Sequence, residues 1–144
     1  NKSFYENNAA AYSEKLSNLD SEFRNGLMNC KKKEIITSHA AFAYLAARYE
    51  FTQIPIAGIS EEEPSPARLS EIARIAKEKN IKYVFFETLV SPRLSETIAK
   101  ETDAKTLVLN PVEGLALEEK QQGKNYVSIM RENLTNLKIA LECI

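Results

Sequence analysis

The only histidine of this sequence, His39, stands just past the short strand-like run Glu34-Ile35-Ile36-Thr37. Three carboxylates stand at comparable places. Glu87 closes Tyr83-Val84-Phe85-Phe86, Glu63 ends the acidic stretch that follows Gly58, and Glu113 lies in Asn110-Pro111-Val112-Glu113-Gly114. An imidazole combined with carboxylates is a nitrogen/oxygen donor set for a divalent transition metal, suited to zinc or manganese. A closed zinc site of cysteine and histidine is excluded, because one His and two Cys cannot supply four such ligands.

Each residue also has a plainer role. A histidine at a strand end often caps or packs, and His39 is followed by Ala40-Ala41-Phe42, small and aromatic neighbours that would hold the ring. Glu87 is expected to accept hydrogen bonds from the first amides of the next helix, a capping or orienting role placed above direct ligation. Glu63, just before Pro64-Ser65, is expected to brace the start of a helix. Glu113 sits in a turn with no evident helix to cap, so among the three carboxylates it has the strongest claim to a metal.

Catalytic readings are weaker. Ser38 beside His39 suggests a nucleophile and base, but adjacent side chains on one segment seldom face each other, and no G-x-S-x-G elbow is present. The four glycines, Gly26, Gly58, Gly114 and Gly123, cannot compose a dinucleotide or P-loop phosphate motif. An enzyme is not expected. Cys30 and Cys143 leave two readings open: free thiols of a reducing compartment, or a bridge stapling the ends of the domain. Such a bridge would contribute on the order of 4 to 5 kcal/mol in the chain-entropy model.

The elements that must position these groups follow from periodicity. From Lys2 to about Cys30, Tyr5, Ala9, Tyr12, Leu16, Leu19, Phe23 and Leu27 recur every three or four residues, predicting one long amphipathic helix with Glu6, Glu14, Lys15, Asp20, Glu22 and Arg24 facing outward. Strands are predicted at 34–37, 52–56, 82–87 and 105–109. Helices are predicted over 40–49, from Pro66 to about Lys79 with Ser65 as cap, from Ser91-Pro92 to about Thr102, and from about Asn125 to the end. Apolar strands alternating with helices imply a parallel sheet covered on both sides. Ligands in such sheets bind beyond the carboxyl ends of the strands, where His39, Glu87 and Glu113 fall, with His39 and Glu113 expected at adjacent strand ends.

Composition narrows the function classes. The 144 residues, 44% hydrophobic and 27% charged with net charge -1, make one globular domain. No basic block exceeds Lys31-Lys32-Lys33, so neither nucleic acid nor an anionic bilayer is an expected partner. No apolar run approaches the roughly 20 residues a membrane span needs. A start at Asn1 without a leader suggests a processed product or a fragment.

Five segments in order carry a family resemblance: Ser38-His39-Ala40-Ala41-Phe42-Ala43-Tyr44-Leu45-Ala46; Gly58 with Glu63-Pro64-Ser65; Val84-Phe85-Phe86-Glu87 with Ser91-Pro92; Ile98-Ala99-Lys100-Glu101-Thr102; and Leu109-Asn110-Pro111-Val112-Glu113-Gly114-Leu115. Over nearly the whole chain the sequence resembles the zinc/manganese substrate-binding proteins of metal ABC transporters. The resemblance implies an α/β, Rossmann-like three-layer lobe with a four-stranded parallel sheet, preceded by a long linking helix. Residues 1–30 would be the helix between two lobes and 31–144 the C-terminal metal-binding lobe, the N-terminal lobe being absent. It implies His39 and Glu113 as metal ligands and no catalysis, while Glu87 and Glu63 stay candidate supporting residues from their places at a strand end and in the acidic loop. The cargo would be zinc, with manganese as the alternative, since manganese-selective members tend to carry a carboxylate where His39 stands.

The same resemblance implies a periplasmic or extracellular protein, membrane-associated in lipoprotein members, that delivers its ion to a membrane permease. That setting favours a Cys30–Cys143 disulfide. Binding by imidazole and carboxylate should weaken as the pH falls and His39 takes a proton. The competing reading is a stand-alone protein-interaction module that docks through the acidic loop and the exposed face of the first helix.

Overall fold

A computed structural model describes residues 1–58, 64–88 and 91–144, so Glu63 lies outside the described residues. Strands β1 (Glu34–Thr37), β2 (Thr52–Pro55), β3 (Tyr83–Phe86) and β4 (Lys105–Val108) form one parallel sheet in the order β2-β1-β3-β4. The helices are α1 (Lys2–Leu27), α2 (Ala43–Arg48), α3 (Pro66–Glu78), α4 (Arg93–Thr102), α5 (Leu117–Gln121) and α6 (Tyr126–Ala140). From β1 the chain moves to one edge to make β2, then returns to the other side of β1 to make β3. That reversal opens a crevice between the carboxyl ends of β1 and β3, the usual ligand position in doubly wound sheets. It also corrects one expectation: the ends of β1 and β4 are not adjacent, because β3, which leads to Glu87, lies between them.

The central strands are apolar on both faces because both faces are covered. Ile35 and Phe85 join a core with Leu19, Phe23 and Leu27 of α1, Ala46 of α2 and Leu134 and Leu137 of α6. Ile36 and Val84 face the opposite way, against Ile72, Ala73 and Ala76 of α3 and Ile98 of α4. Pro55 is tolerated at the end of β2 because that strand is an edge. Ser65 caps α3 as expected, its hydroxyl accepting from the Arg68 amide at 3.2 Å with Pro66 at the first helical position. Asn125 and Ser128 exchange backbone and side-chain hydrogen bonds at the start of α6.

α1 departs from the expectation of one continuous buried stripe. Only Leu19, Phe23 and Leu27 are buried, whereas residues 1–18 are exposed, Tyr5, Tyr12 and Leu16 among them. Asp20 and Glu22, expected to face solvent, instead reach across the fold. The Asp20 carboxylate accepts from Arg48 at 2.8 Å and from the Tyr49 hydroxyl at 2.9 Å, and Glu22 pairs with Arg131 of α6 at 2.7 Å. Phe23, with no exposed surface, stacks on Tyr49 with ring centroids 4.9 Å apart. Gly26 lets α1 approach α6, since a Cβ there would stand 3.1 Å from Leu134 Cδ1. Just beyond these helices a disulfide joins Cys30 to Cys143 across 113 positions.

Three further differences concern helix ends. α2 begins at Ala43, not near residue 40, which frees residues 38–42 to form a turn around His39. α4 begins after Pro92 without a side-chain cap, the Ser91 hydroxyl reaching only the Arg93 amide at 3.4 Å. The short α5 was not foreseen. Its sequence, Leu-Glu-Glu-Lys-Gln, has no apolar period to reveal it.

Candidate metal centre

His39 leaves β1 two residues beyond Thr37 and is anchored through its backbone. Its carbonyl accepts from the Thr37 hydroxyl at 2.8 Å and from the Gln53 side-chain amide at 2.7 Å. Gln53, on the neighbouring β2, also donates to the Thr37 hydroxyl and accepts from the Phe42 amide at 3.1 Å. One amide side chain therefore holds both ends of the turn, and it keeps Phe42 out of the helix that follows.

The imidazole is held separately. Its Nδ1 lies 2.5 Å from Oε1 of Glu87, which follows the adjacent strand β3, and the same oxygen accepts from the Ser38 hydroxyl at 2.8 Å. The Glu87 side chain is about 1% exposed and that of His39 22%. A carboxylate set against one nitrogen of a histidine leaves the other available as a donor, the arrangement commonly seen for metal-bound histidines. Glu87 Oε2 is buried with no hydrogen-bond partner among the described residues. Burial pushes the Glu87 carboxyl above the usual carboxylate range. The Ser38 hydroxyl and the imidazole pull it back, and the negative charge of Glu113 raises it further.

One expectation changes and another is met. Glu87 accepts from Ser38, lies against His39 and makes no hydrogen bond to a described amide of α4, so the expected helix capping is not seen among the described residues. Ser38 and His39 both face Glu87, so the hydroxyl is engaged by the carboxylate and not by the imidazole.

Glu113 lies in the loop between β4 and α5, with its side chain exposed. Because β3 and β4 are parallel neighbours, Glu113 after β4 and Glu87 after β3 follow the same end of the sheet. The two loops also share a groove: Ala41 and Phe42 after His39, and Asn110 and Pro111 before Glu113, line a cavity of about 460 Å³. Among the described residues, no three His, Cys, Asp or Glu side chains group closely enough to enclose a metal ion. Gln53 and Asn133 carry little signal in the sequence, an amide within a strand and an amide within an apolar helix stripe, and Asn110 shows there only as the start of the Glu113 turn.

A family model described as zinc-uptake complex component A, periplasmic (ZnuA), matches residues 1–140. The chain belongs to the ZnuA family. Within it, the chain is 46% identical over 142 residues to the high-affinity zinc uptake system protein ZnuA of Bacillus subtilis (strain 168), covering 98% of this chain and 44% of that protein. Two solved structures superimpose on nearly all of it. The Zn(II)-bound ZnuA-like domain of Streptococcus pneumoniae AdcA does so with a TM-score of 0.82 at 43% identity, covering 98% of this chain and 53% of that one. The laminin-binding protein Lbp of Streptococcus pyogenes does so with a TM-score of 0.84 at 38% identity, covering 95% and 53%. The chain thus spans about half the length of these relatives. ZnuA-family membership accords with the parallel α/β sheet, and the family is one of solute-binding proteins, not an enzyme class.

Proposed function

We propose that this chain is the C-terminal metal-binding lobe of an extracytoplasmic zinc receptor, and that zinc is its cargo. The observation that carries the reading is the buried Glu87 carboxylate 2.5 Å from Nδ1 of the partly exposed His39 at the switch point of the sheet, which would leave Nε2 to the ion. Glu113 would supply a carboxylate oxygen. Glu87 would orient the imidazole and strengthen it as a ligand. Glu63 remains a supporting candidate on sequence grounds alone. Similarity to zinc-uptake and Zn(II)-bound relatives supports zinc over manganese, as does the higher affinity of nitrogen-containing sites for zinc.

Two ligands from one lobe leave tetrahedral zinc short of two, so the remaining donors would come from a second lobe. The exposed residues 1–18 of α1 support its assignment as the helix that connects the lobes. Capture requires no turnover: a neutral imidazole and an ionised carboxylate bind the ion, and a membrane permease of an ABC transporter would receive it. The Cys30–Cys143 disulfide fits an oxidising, extracytoplasmic location. Parallel calorimetric titrations of the full-length protein with Zn²⁺ and Mn²⁺ test the reading. Tighter binding of zinc, weakened by Glu113→Gln, is expected; equal or tighter binding of manganese contradicts the assignment of cargo.

A further inference from the structure

We propose that Asn133 of α6 is a positioning residue for Glu113, acting through the peptide of Asn110. The inference rests on the reading of Glu113 as a zinc ligand.

Asn133 is 2% exposed, on a helix face whose other buried members are Ile129, Met130, Leu134, Leu137 and Ala140. An amide among aliphatic groups is costly unless both its ends are bonded. Both are. Oδ1 accepts from the Asn110 amide at 2.8 Å and Nδ2 donates to the Asn110 carbonyl at 2.7 Å. β4 ends at Val108, so this clamp grips the chain just past the point where the strand ladder stops.

Asn110, itself 3% exposed, passes the constraint on. Its Oδ1 accepts from the Val112 amide at 2.8 Å, and its Nδ2 donates to Glu119 Oε1 at 3.3 Å. The other oxygen of Glu119 accepts from the Ala116 amide at 2.8 Å. Glu113 therefore stands between two tethered peptides. The residue before it, Val112, has φ 61°, in the left-handed region that a β-branched side chain rarely enters. Such a conformation persists only where the surroundings impose it, and here the Asn110 hydrogen bond and the packing of Val112 against the core do so. The backbone delivers Glu113 in one direction, set from α6.

The test is zinc affinity of the full-length protein by chelator competition, for Asn133→Ala and Val112→Gly, each alone and combined with Glu113→Gln, with folding checked by circular dichroism. Asn133→Ala should weaken zinc binding about tenfold or more, as loss of an outer residue around a metal site does. Val112→Gly, which the left-handed position accepts without strain, should weaken it several-fold by freeing the loop. Both losses should fall to within about twofold when Glu113 is already Gln, because residues acting through one group are not additive. Wild-type affinity in folded Asn133→Ala overturns the proposal, as does a loss that persists in full beside Glu113→Gln. If Asn133→Ala does not fold, Val112→Gly decides by the same criteria. Glu113→Gln alone with unchanged affinity overturns the ligand reading instead, and the positioning role with it.

Discussion

His39 Nδ1 and Glu87 Oε1 stand 2.5 Å apart across the crevice between β1 and β3, the histidine partly exposed and the carboxylate buried. In the proposed site this contact would orient the ring, and it uses a carboxylate that is costly to bury. Replacing Glu87 by Gln keeps the shape and an oxygen that can accept from Nδ1–H, while removing the charge. Zinc affinity should fall about tenfold, and the melting temperature of the metal-free protein should hold or rise, because a buried charge is removed. Competition titration and thermal melts of the same variant check this. A lower melting temperature with unchanged affinity would make Glu87 a structural residue only.

The same burial has a pH signature. The Glu87 carboxyl is raised above 4.5, chiefly by desolvation. A carboxyl that is easier to protonate when folded contributes stability as the pH falls through its raised pKa towards 4.5. Glu22, Glu34 and Glu142 are shifted the other way by Arg131, Lys79 and Lys82, and Asp20 by Arg48 and Arg24. Their contribution is present above the usual carboxylate range and is lost as the pH drops through their lowered pKa values. Thermal melts of metal-free protein should therefore hold or rise on acidification to about pH 5 and fall below pH 4. Glu87→Gln should remove the upper limb alone, and a wild-type profile that falls steadily from pH 7 contradicts the assignment.

The disulfide makes a separate prediction. Joining Cys30 to Cys143 encloses nearly the whole lobe in one covalent loop. Removing it by Cys30→Ser with Cys143→Ser should cost about 2 to 5 kcal/mol, lowering the melting temperature by on the order of 10 °C. Differential scanning calorimetry of the double variant checks this, and an unchanged transition contradicts it.

Phe23 anchors α1 to the lobe by filling the space between Leu27, the stacked Tyr49 ring and the α6 face. Phe23→Ala should destabilise by about 3 to 5 kcal/mol through the cavity it leaves, seen as a lower denaturant midpoint with nearly unchanged slope. A loss below about 1 kcal/mol would mean that α1 packs independently of this residue.

The sheet was legible in the sequence because its central strands are buried on both faces and read as unbroken apolar runs. Ile35-Ile36 and Val84-Phe85 each divide their side chains between two cores, the pattern expected of a sheet covered on both faces. The first half of α1 misled for a physical reason: Tyr5, Tyr12 and Leu16 have the period of a buried stripe, yet none of them is covered within this lobe. Period reports an apolar face, not what lies against it. At the site, His39 and Glu113 were visible as chemistry at strand ends. The contact of His39 with Glu87 and the grip of Asn133 on Asn110 were not, because they depend on strand order and on contacts between residues far apart in the chain.

The central claim is that His39 holds zinc, and the most direct measurement compares zinc affinity of the full-length wild type and His39→Ala by chelator competition at neutral pH. A loss of at least about a hundredfold is expected, on the scale of one metal–ligand bond in a four-ligand site. Equal affinity in a folded His39→Ala protein contradicts it.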